Sequence, residues 1–437
     1  MSAWPSARVR RTLVRSVALG VLAVAGAADP AAAHSVGNGS MPAPPWLLAY
    51  LGAFAVLATA VALRATWPRP RLAAPADGRG VEGPWVGQVV GVGLLALVLV
   101  AAVVGPDNGA ANIAPVAVLV VWWIGLPLAA LLVGDVMRPM NPFVGVVRLV
   151  ERIRPRTQPE PAPAPSWVPA AFLFAFAWYF VAYHRPGSPR ALAVFLALYG
   201  AAALVLGLRW GSRWLATGEG FGALSAAVST VAPLRRAPAP AGTAALMVVW
   251  IGSTAFDAFA STPFWEDVVA GSLGWERTAL STVGFVWLTA VVAGLYLGAL
   301  RVARRRQAAD PTDDEGRIRR GLGVALVPVA LAWFVGHDLT FLLFEGQNFI
   351  ALLSDPIGRG WDLLGTISQT VDYGLARAAW VPWVQVLAVA AGHVGAVVVA
   401  HDTALRLLRP RAAAAVTAGL SAAVAASAAA AALLVLG

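Results

Sequence analysis

The amino-acid sequence predicts an all-α protein, a polytopic transmembrane helix bundle of about ten spans with short interfacial helices on its outer face. Of 437 residues, 59% are hydrophobic and only 12% are charged, a balance that suits lipid as the solvent. Apolar stretches of about twenty residues recur along the chain. The arginines between these stretches fall mainly into alternate loops, as they do in multi-pass membrane proteins.

The first 33 residues have the pattern of a signal peptide. Four arginines between residues 8 and 15 precede an apolar stretch, and three alanines at 31–33 supply a small-residue cleavage site. Cleavage there makes His34 the mature N-terminus. An N-terminal histidine can chelate Cu(II) through its amine and imidazole nitrogens. With His184, predicted on the same side, His34 is therefore a candidate site for a divalent metal (Cu or Zn), although a histidine can also follow a cleavage site by chance.

Residues 34–437 are predicted to form a single transmembrane helical domain. Ten segments are long enough to cross roughly 30 Å of hydrocarbon as helices, which satisfy their own backbone hydrogen bonds there. A further segment, 141–154, has apolar side chains on one helical face and is expected to lie in the inner interface. The predicted spans are 46–66, 85–105, 115–137, 166–184, 190–215, 242–260, 278–301, 322–344, 381–402 and 412–436.

Arginine placement predicts the orientation. With the four arginines of the signal segment set aside, twenty-three arginines lie in or beside the loops of one side and five in those of the other. Cytoplasmic loops retain positive charge during insertion. We therefore expect a multi-pass protein of the bacterial cytoplasmic membrane whose mature N-terminus is extracytoplasmic.

The composition also restricts the partners. The formal net charge of +10 comes from 32 arginines, without a lysine, that are spread over many loops. That distribution is not the basic stripe of a nucleic-acid-binding protein, so the predicted partner is the lipid bilayer and not a nucleic acid. The chain has no cysteine, which excludes disulfides, thiolate metal sites and thiol nucleophiles.

Three ionisable residues are predicted at one depth in the outer half of the membrane: Asp257, His337 and Asp338. A charged side chain in hydrocarbon costs at least about 3 kcal/mol. Glu345 shares a side of the eighth predicted helix with Asp338. We expect these four residues to form a buried ionisable cluster that faces outward. They either satisfy one another across a helix interface or serve a function, as proton donor and acceptor or as metal ligands.

Two further regions contain candidate functional residues. His393, near mid-membrane in the ninth predicted span, either bonds a neighbouring helix or belongs to a proton relay. Two residues near that span's inner end, His401 and Asp402, are predicted to be a solvated helix end. The connection 345–380 has 36 residues, long enough to suggest a functional loop. It is expected to form two short amphipathic helices that place Asp355, Arg359 and Asp362 over the outer mouth of the bundle.

A set of short motifs extends over most of the mature chain. They are Ala33-His34, Asn141-Pro142-Phe143, Phe256-Asp257, Ser261-Thr262-Pro263-Phe264-Trp265, Phe344-Glu345-Gly346-Gln347, Ser354-Asp355-Pro356, Gly358-Arg359-Gly360-Trp361-Asp362, Gly392-His393 and Ala400-His401-Asp402. In these motifs the chain resembles a family of actinobacterial-type polytopic membrane proteins catalogued as fenitrothion hydrolase-like. The resemblance implies hydrolysis of an organophosphate ester, chemistry for which metal-bound water is the expected nucleophile. It assigns no catalytic residue to a position in this chain.

Two functions follow from these residues. The first is a non-enzymatic permease or metal-handling component whose outer vestibule contains Asp257, His337, Asp338 and Glu345. The alternative is a membrane-embedded, metal-dependent hydrolase that uses the same residues as metal ligands or as acid and base groups. A third interpretation, which gives these residues no chemical role, is a scaffold for other membrane proteins.

Overall fold

The all-α prediction is confirmed. The computed structural model of this protein describes residues 43–72, 85–154, 163–232, 239–306, 315–376 and 378–435, in which there is no β-strand. The predicted signal peptide, residues 1–33, and His34 lie outside the described residues. In chain order the helices are α1 (Pro45–Thr66), α2 (Trp85–Val104), α3 (Ile113–Val133), α4 (Met137–Met140), α5 (Pro142–Ile153), α6 (Val168–Val181), α7 (Pro189–Trp210), α8 (Ser212–Gly218), α9 (Gly220–Ser229), α10 (Thr243–Ala260), α11 (Pro263–Val268), α12 (Gly274–Arg306), α13 (Glu315–Val324), α14 (Leu326–Leu352), α15 (Tyr373–Ala376), α16 (Trp380–Leu407) and α17 (Pro410–Val435).

Nine helical segments of the described chain are long and apolar enough to cross a membrane. One of them, Ile318–Leu352, joins most of α13 to α14. The predicted fourth span contains α6, which is apolar but only 14 residues long. The predicted segment 141–154 is the amphipathic helix α5. The short helices α11 and α15 lie in the connections before α12 and before α16.

Local sequence signals define where several helices begin. The side chain of Asn141 accepts hydrogen bonds from the backbone N–H groups of Phe143 and Val144, and that of Ser188 accepts one from Ala191. Such side chains satisfy N–H groups that have no partner within the helix. A proline is the first residue of α1, α5, α7, α11 and α17, where its missing N–H costs nothing.

Helices α10 and α14 occupy the centre of the bundle. The most apolar part of α10 is 72% buried, whereas that of α2 is 22% buried. Helix α10 packs against α6, α12 and α14, and α14 also packs against α16. The last helix, α17, packs along the first, α1. The polar side chains of Ser253 and Thr254 in α10 and of Asp338 in α14 are therefore buried by the neighbouring helices.

Contacts between connections define two ends of the bundle. At one end the Trp67 indole donates to Asp402, the Tyr296 hydroxyl donates to the carbonyl of Arg319, and Gly242 lies against the carbonyl of Ser166. We call this the arginine-rich end. At the arginine-poor end Ser188 donates to Asp107, His184 bonds Thr278, and Gly105 lies close to the Ile357 carbonyl.

The segment after the fifth span differs from the prediction. The sequence suggested a span at 190–215 followed by a loop, but α7 ends at Trp210 and the chain then forms α8 and α9. All ten residues of α9 are buried, and α9 packs against α3, α6 and α8. Since α9 is half the length that a span requires, a search for apolar stretches of about twenty residues does not detect it.

Helices α8 and α9 form a re-entrant pair that enters the bundle from the arginine-rich end. Ser212 donates to Glu151 at that end. Between the two helices, Glu219 accepts hydrogen bonds from the Tyr199 hydroxyl at 2.7 Å and from Asn141 at 2.9 Å. Farther along α9, the Ser225 hydroxyl donates to Asp135 at 2.7 Å. The pair therefore returns to the end from which it came.

The eighth span is longer than predicted. Its helix α14 continues past Phe344 through residues 345–348 to Leu352. The following connection therefore starts at 353, and the only helix in its described part is the four-residue α15. The prediction of two short amphipathic helices from 345 to 380 was wrong. Outside the hydrocarbon a helix no longer needs apolar residues, so hydropathy does not define its end.

Candidate functional site

Helices α10 and α14 bring three predicted residues together. His337 Nε2 lies 3.2 Å from Asp257 Oδ2, a hydrogen bond between the two helices. Asp338 follows His337 in α14. One ligand atom from each of Asp257, His337 and Asp338 can be chosen so that all three lie within 4.8 Å of one another. We call these residues the acid-histidine cluster.

The acid-histidine cluster faces a cavity of about 440 Å³. The side chains of Asp257 and His337 are 31% and 22% exposed, so the cavity is open to the surface of the bundle. Asp338 is only 4% exposed, and no hydrogen bond to its carboxylate occurs within the described part of the chain. A buried carboxylate without such a partner is costly, and a bound cation would offset that cost. The other residues that line the cavity are Phe180, Thr340, Phe341 and Phe344.

Helix α16 supports α14 at the level of the cluster. The Gln385 side-chain amide donates to the carbonyl of Gly336 at 2.7 Å, one residue before His337. Gln385 is buried. Because this bond ties a side chain of α16 to the backbone of α14, it fixes the distance between the two helices beside the cluster.

Below the cluster, toward the arginine-rich end, lies a layer of buried aromatic rings. Phe334 lies one turn before Asp338 in α14, and its ring centroid is 5.1 Å from that of Trp250 in α10 and 6.1 Å from that of Trp123 in α3. Phe176 and Phe221 complete the layer, and their ring centroids are 4.8 Å apart. Phe221 lies at the start of the re-entrant helix α9. Each of these five side chains is at most 6% exposed. The aromatic layer separates the cluster from the arginine-rich end.

The cluster has the ligand types and nearly the spacing of a metal site. In a tetrahedral zinc site with bonds of about 2.1 Å, ligand atoms lie roughly 3.4 Å apart. The separation of 3.2 Å between His337 and Asp257 already fits that spacing. The largest separation, up to 4.8 Å, has to shorten by up to about 1.4 Å, a change that rotation of an aspartate side chain can supply. Two carboxylates and one imidazole suit a divalent transition metal.

Glu345 is not one of the residues that line this cavity. It lies two turns beyond Asp338 in the extended part of α14, where its carboxylate accepts a hydrogen bond from Asn348 at 3.2 Å. The structure therefore brings together three of the four residues of the predicted cluster.

The outer-loop residues shape turns of the connection. Asp355 accepts hydrogen bonds from the backbone N–H groups of Arg359 at 2.7 Å and Gly360 at 2.6 Å. Asp362 accepts one from Ile367 at 3.2 Å. Both acids therefore have local backbone donors, the usual arrangement of aspartate in turns.

His393 is fully buried and bonded on both sides of its ring. Its Nδ1 lies 2.7 Å from the Val389 carbonyl and its Nε2 lies 3.0 Å from the Ser427 hydroxyl of α17. The Trp333 indole donates to the same hydroxyl at 2.9 Å. His393 is about 12 Å farther along α16 than Gln385. These bonds tie α14, α16 and α17 together.

The remaining histidines have separate surroundings. His184 bonds the Thr278 hydroxyl at 2.8 Å, and the proposed partner His34 lies outside the described residues. The solvated helix end predicted at His401 and Asp402 was wrong, since the two are 5% and 1% exposed. The chain after α1 folds over them, and the Trp67 indole donates to Asp402 at 3.1 Å.

The chain matches no family model, no curated protein and no solved structure.

Proposed function

We propose that this protein is a metal-handling component of the bacterial cytoplasmic membrane, a permease for a divalent transition-metal ion. The observation that carries the proposal is the convergence of Asp257, His337 and Asp338 on one open cavity. By the positive-inside rule we place the arginine-rich end in the cytoplasm, so the cavity faces outward.

The chemistry of the cluster favours a cation. Two carboxylates beside one imidazole attract a positive ion, and each supplies a ligand atom that can replace part of its hydration shell. The attraction is strengthened because Asp338 is almost completely buried, in surroundings less polarisable than water. The phenylalanines of the cavity wall, Phe180, Phe341 and Phe344, offer no competing hydrogen-bond donor.

The aromatic layer supports a permease over a passive binding site. A transported ion must reach its site from one side while a barrier blocks the other. Phe334 and Trp250 form such a barrier directly below the cluster, and the re-entrant helix α9 reaches the layer through Phe221. Opening the layer would require α9 or α14 to shift against the hydrogen bonds that hold α9 at Glu219 and α14 at Gln385.

Zinc binding by the purified full-length chain tests this proposal. Calorimetric titration of metal-free protein in detergent is expected to show one zinc ion per chain. The triple variant Asp257→Asn, His337→Gln, Asp338→Asn is expected to bind none at the same site. Asp267→Asn is the matched control, because it removes one exposed carboxylate from the connection that follows α10. Equal binding by wild type and the triple variant would exclude the cluster as the metal site.

Transport requires a second measurement. Proteoliposomes that contain a zinc-sensitive dye are expected to fill with zinc when wild type is present, but not with the triple variant. If the protein binds zinc but the proteoliposomes take up none, the protein is a metal-binding component and the permease function is excluded.

The hydrolase is the second candidate, and one feature of the cavity favours it. Three protein ligands with an open position are the arrangement of catalytic zinc, and the three phenylalanines of the wall could hold an aryl group. If zinc-loaded wild type turns over an aryl phosphotriester and Asp338→Asn does not, the hydrolase becomes the preferred function in place of the permease. Absence of turnover in zinc-loaded protein would exclude this candidate.

Replacing His393 distinguishes a role in a proton relay from a role in structural hydrogen bonds. His393→Gln is expected to leave zinc affinity and uptake within about twofold of wild type. It is expected to lower the free energy of unfolding by about 1 to 2 kcal/mol, because the bonds to Val389 and Ser427 are weakened. Titration, uptake and thermal unfolding of the same preparation check both expectations. Loss of uptake at unchanged stability would instead assign His393 to a relay.

A further inference from the structure

A second, larger cavity lies at the arginine-rich end, away from the acid-histidine cluster. Its volume is about 660 Å³, within the range of roughly 300 to 1,000 Å³ that is typical of ligand sites. It is bounded by the beginnings of α6 and α10, by the last part of α12 and by α13. None of its lining residues belongs to the cluster or to the aromatic layer.

The wall of this cavity is apolar and reaches the lipid-facing surface of the bundle. Phe174, Val248 and Leu297 come from three different helices and line one continuous space. Ala171 and Ala245 line the same space and are exposed. The small alanine side chains leave a groove between α6 and α10 that is open to the bilayer, where acyl chains are the surrounding solvent.

Positive charge is concentrated at one end of the groove. Arg319 and Arg320 of α13 line it and are exposed, and its lining contains no acidic residue. The N-termini of α6 and α10 meet here, since a Cβ on Gly242 would lie 1.8 Å from the Ser166 carbonyl oxygen. Both helices present the positive ends of their dipoles. Trp167, also exposed at this rim, is typical of the boundary between lipid headgroups and hydrocarbon.

We propose that this groove binds an anionic phospholipid from the leaflet at the arginine-rich end. An acyl chain lies between α6, α10 and α12, and the phosphate is held by Arg319 and Arg320 at the helix N-termini. The occupant is a lipid because an apolar groove open to the bilayer ends in concentrated positive charge, the arrangement that recognises anionic headgroups between transmembrane helices. The site does not depend on the metal proposal, since the two cavities share no residue.

Native mass spectrometry of the full-length protein tests the site. Delipidated protein is titrated with phosphatidylglycerol or with phosphatidylcholine of the same acyl chains. Wild type is expected to prefer phosphatidylglycerol. In the variant Arg319→Gln, Arg320→Gln the ratio of phosphatidylglycerol to phosphatidylcholine affinity is expected to fall roughly fivefold for each arginine removed. The matched control, Arg64→Gln with Arg411→Gln, removes two exposed arginines of the same end that do not line the groove.

A second variant probes the groove without a change of charge. Ala171→Trp fills the space between α6 and α10 and is expected to weaken binding of both lipids, whereas millimolar inorganic phosphate is expected not to compete. Several results would overturn the proposal: equal binding of the two lipids by wild type, an unchanged preference in the Arg319, Arg320 variant, an equal loss of preference in the control, wild-type binding by Ala171→Trp, or displacement by phosphate.

Discussion

Replacing Asp338 by asparagine is expected to weaken zinc binding at least about 100-fold, the largest effect of any single substitution in the acid-histidine cluster. The carboxylate is 4% exposed, so its charge acts on a bound cation in surroundings of low polarisability. Changes in the second shell of metal sites already cost about 10- to 100-fold in affinity, and loss of a charged ligand costs more. The variant Asp257→Asn is expected to lose only roughly tenfold in zinc affinity, because the Asp257 side chain is 31% exposed and water can replace it as a ligand.

The stability of the same variant separates a ligand from a structural residue. An amide costs less to bury than a carboxylate, so Asp338→Asn is expected to unfold at the same temperature as wild type or at a higher one. Calorimetric zinc titration and thermal unfolding check the two expectations together, with Asp267→Asn as the control that leaves both unchanged. Wild-type zinc affinity in Asp338→Asn would remove this residue from the site. Lost affinity together with a lower unfolding temperature would make its role structural.

Replacing Glu219 by alanine is expected to destabilise the protein by about 4 kcal/mol. The carboxylate is fully buried and accepts hydrogen bonds from the Tyr199 hydroxyl, the Asn141 amide and the backbone N–H groups of Phe221 and Gly222. Truncation leaves all four donors without this acceptor, and each unsatisfied buried group costs about 1 to 3 kcal/mol before the structure relaxes. The re-entrant helix α9 also loses its N-terminal cap.

Unfolding of purified protein in detergent, followed by tryptophan fluorescence, measures this loss. Glu219→Gln keeps the shape and one acceptor oxygen, so it is expected to lie between wild type and Glu219→Ala, at about 2 kcal/mol. Glu276→Ala removes an exposed glutamate near the start of α12 and is expected to change stability by less than about 0.5 kcal/mol. If Glu219→Ala unfolds like Glu276→Ala, the bonds at Glu219 do not hold α9 in place.

Most of the architecture could be predicted from the chain alone. A transmembrane helix satisfies its own backbone and is recognised by about twenty apolar residues. These signals are local, and for that reason nine helices with the required length and hydropathy appear in the described chain. The re-entrant helix α9 escaped prediction because its ten residues are too few to span. The true length of α14 was not predicted either. Hydropathy marks only the apolar part of a helix, whereas the helical hydrogen bonds of α14 continue to Leu352.

The candidate site shows where local information ends. Hydropathy and charge identified Asp257, His337 and Asp338 as costly residues at a similar depth, but depth does not say which way a helix is rotated. Rotation depends on packing, and Gln385 of α16 bonds the backbone of α14 beside the cluster. Glu345 shares a side of α14 with Asp338, yet it lies beyond the cavity and outside the site.

The sequence on its own therefore establishes the membrane bundle and the residues that are expensive to bury. Which of those residues meet, the aromatic layer beneath them, and the closing of the chain after α1 over Asp402 were decided only by tertiary structure. The physical reason is that insertion into lipid is a property of each segment, whereas a site requires side chains from distant segments to be held together by the packing of all the helices between them.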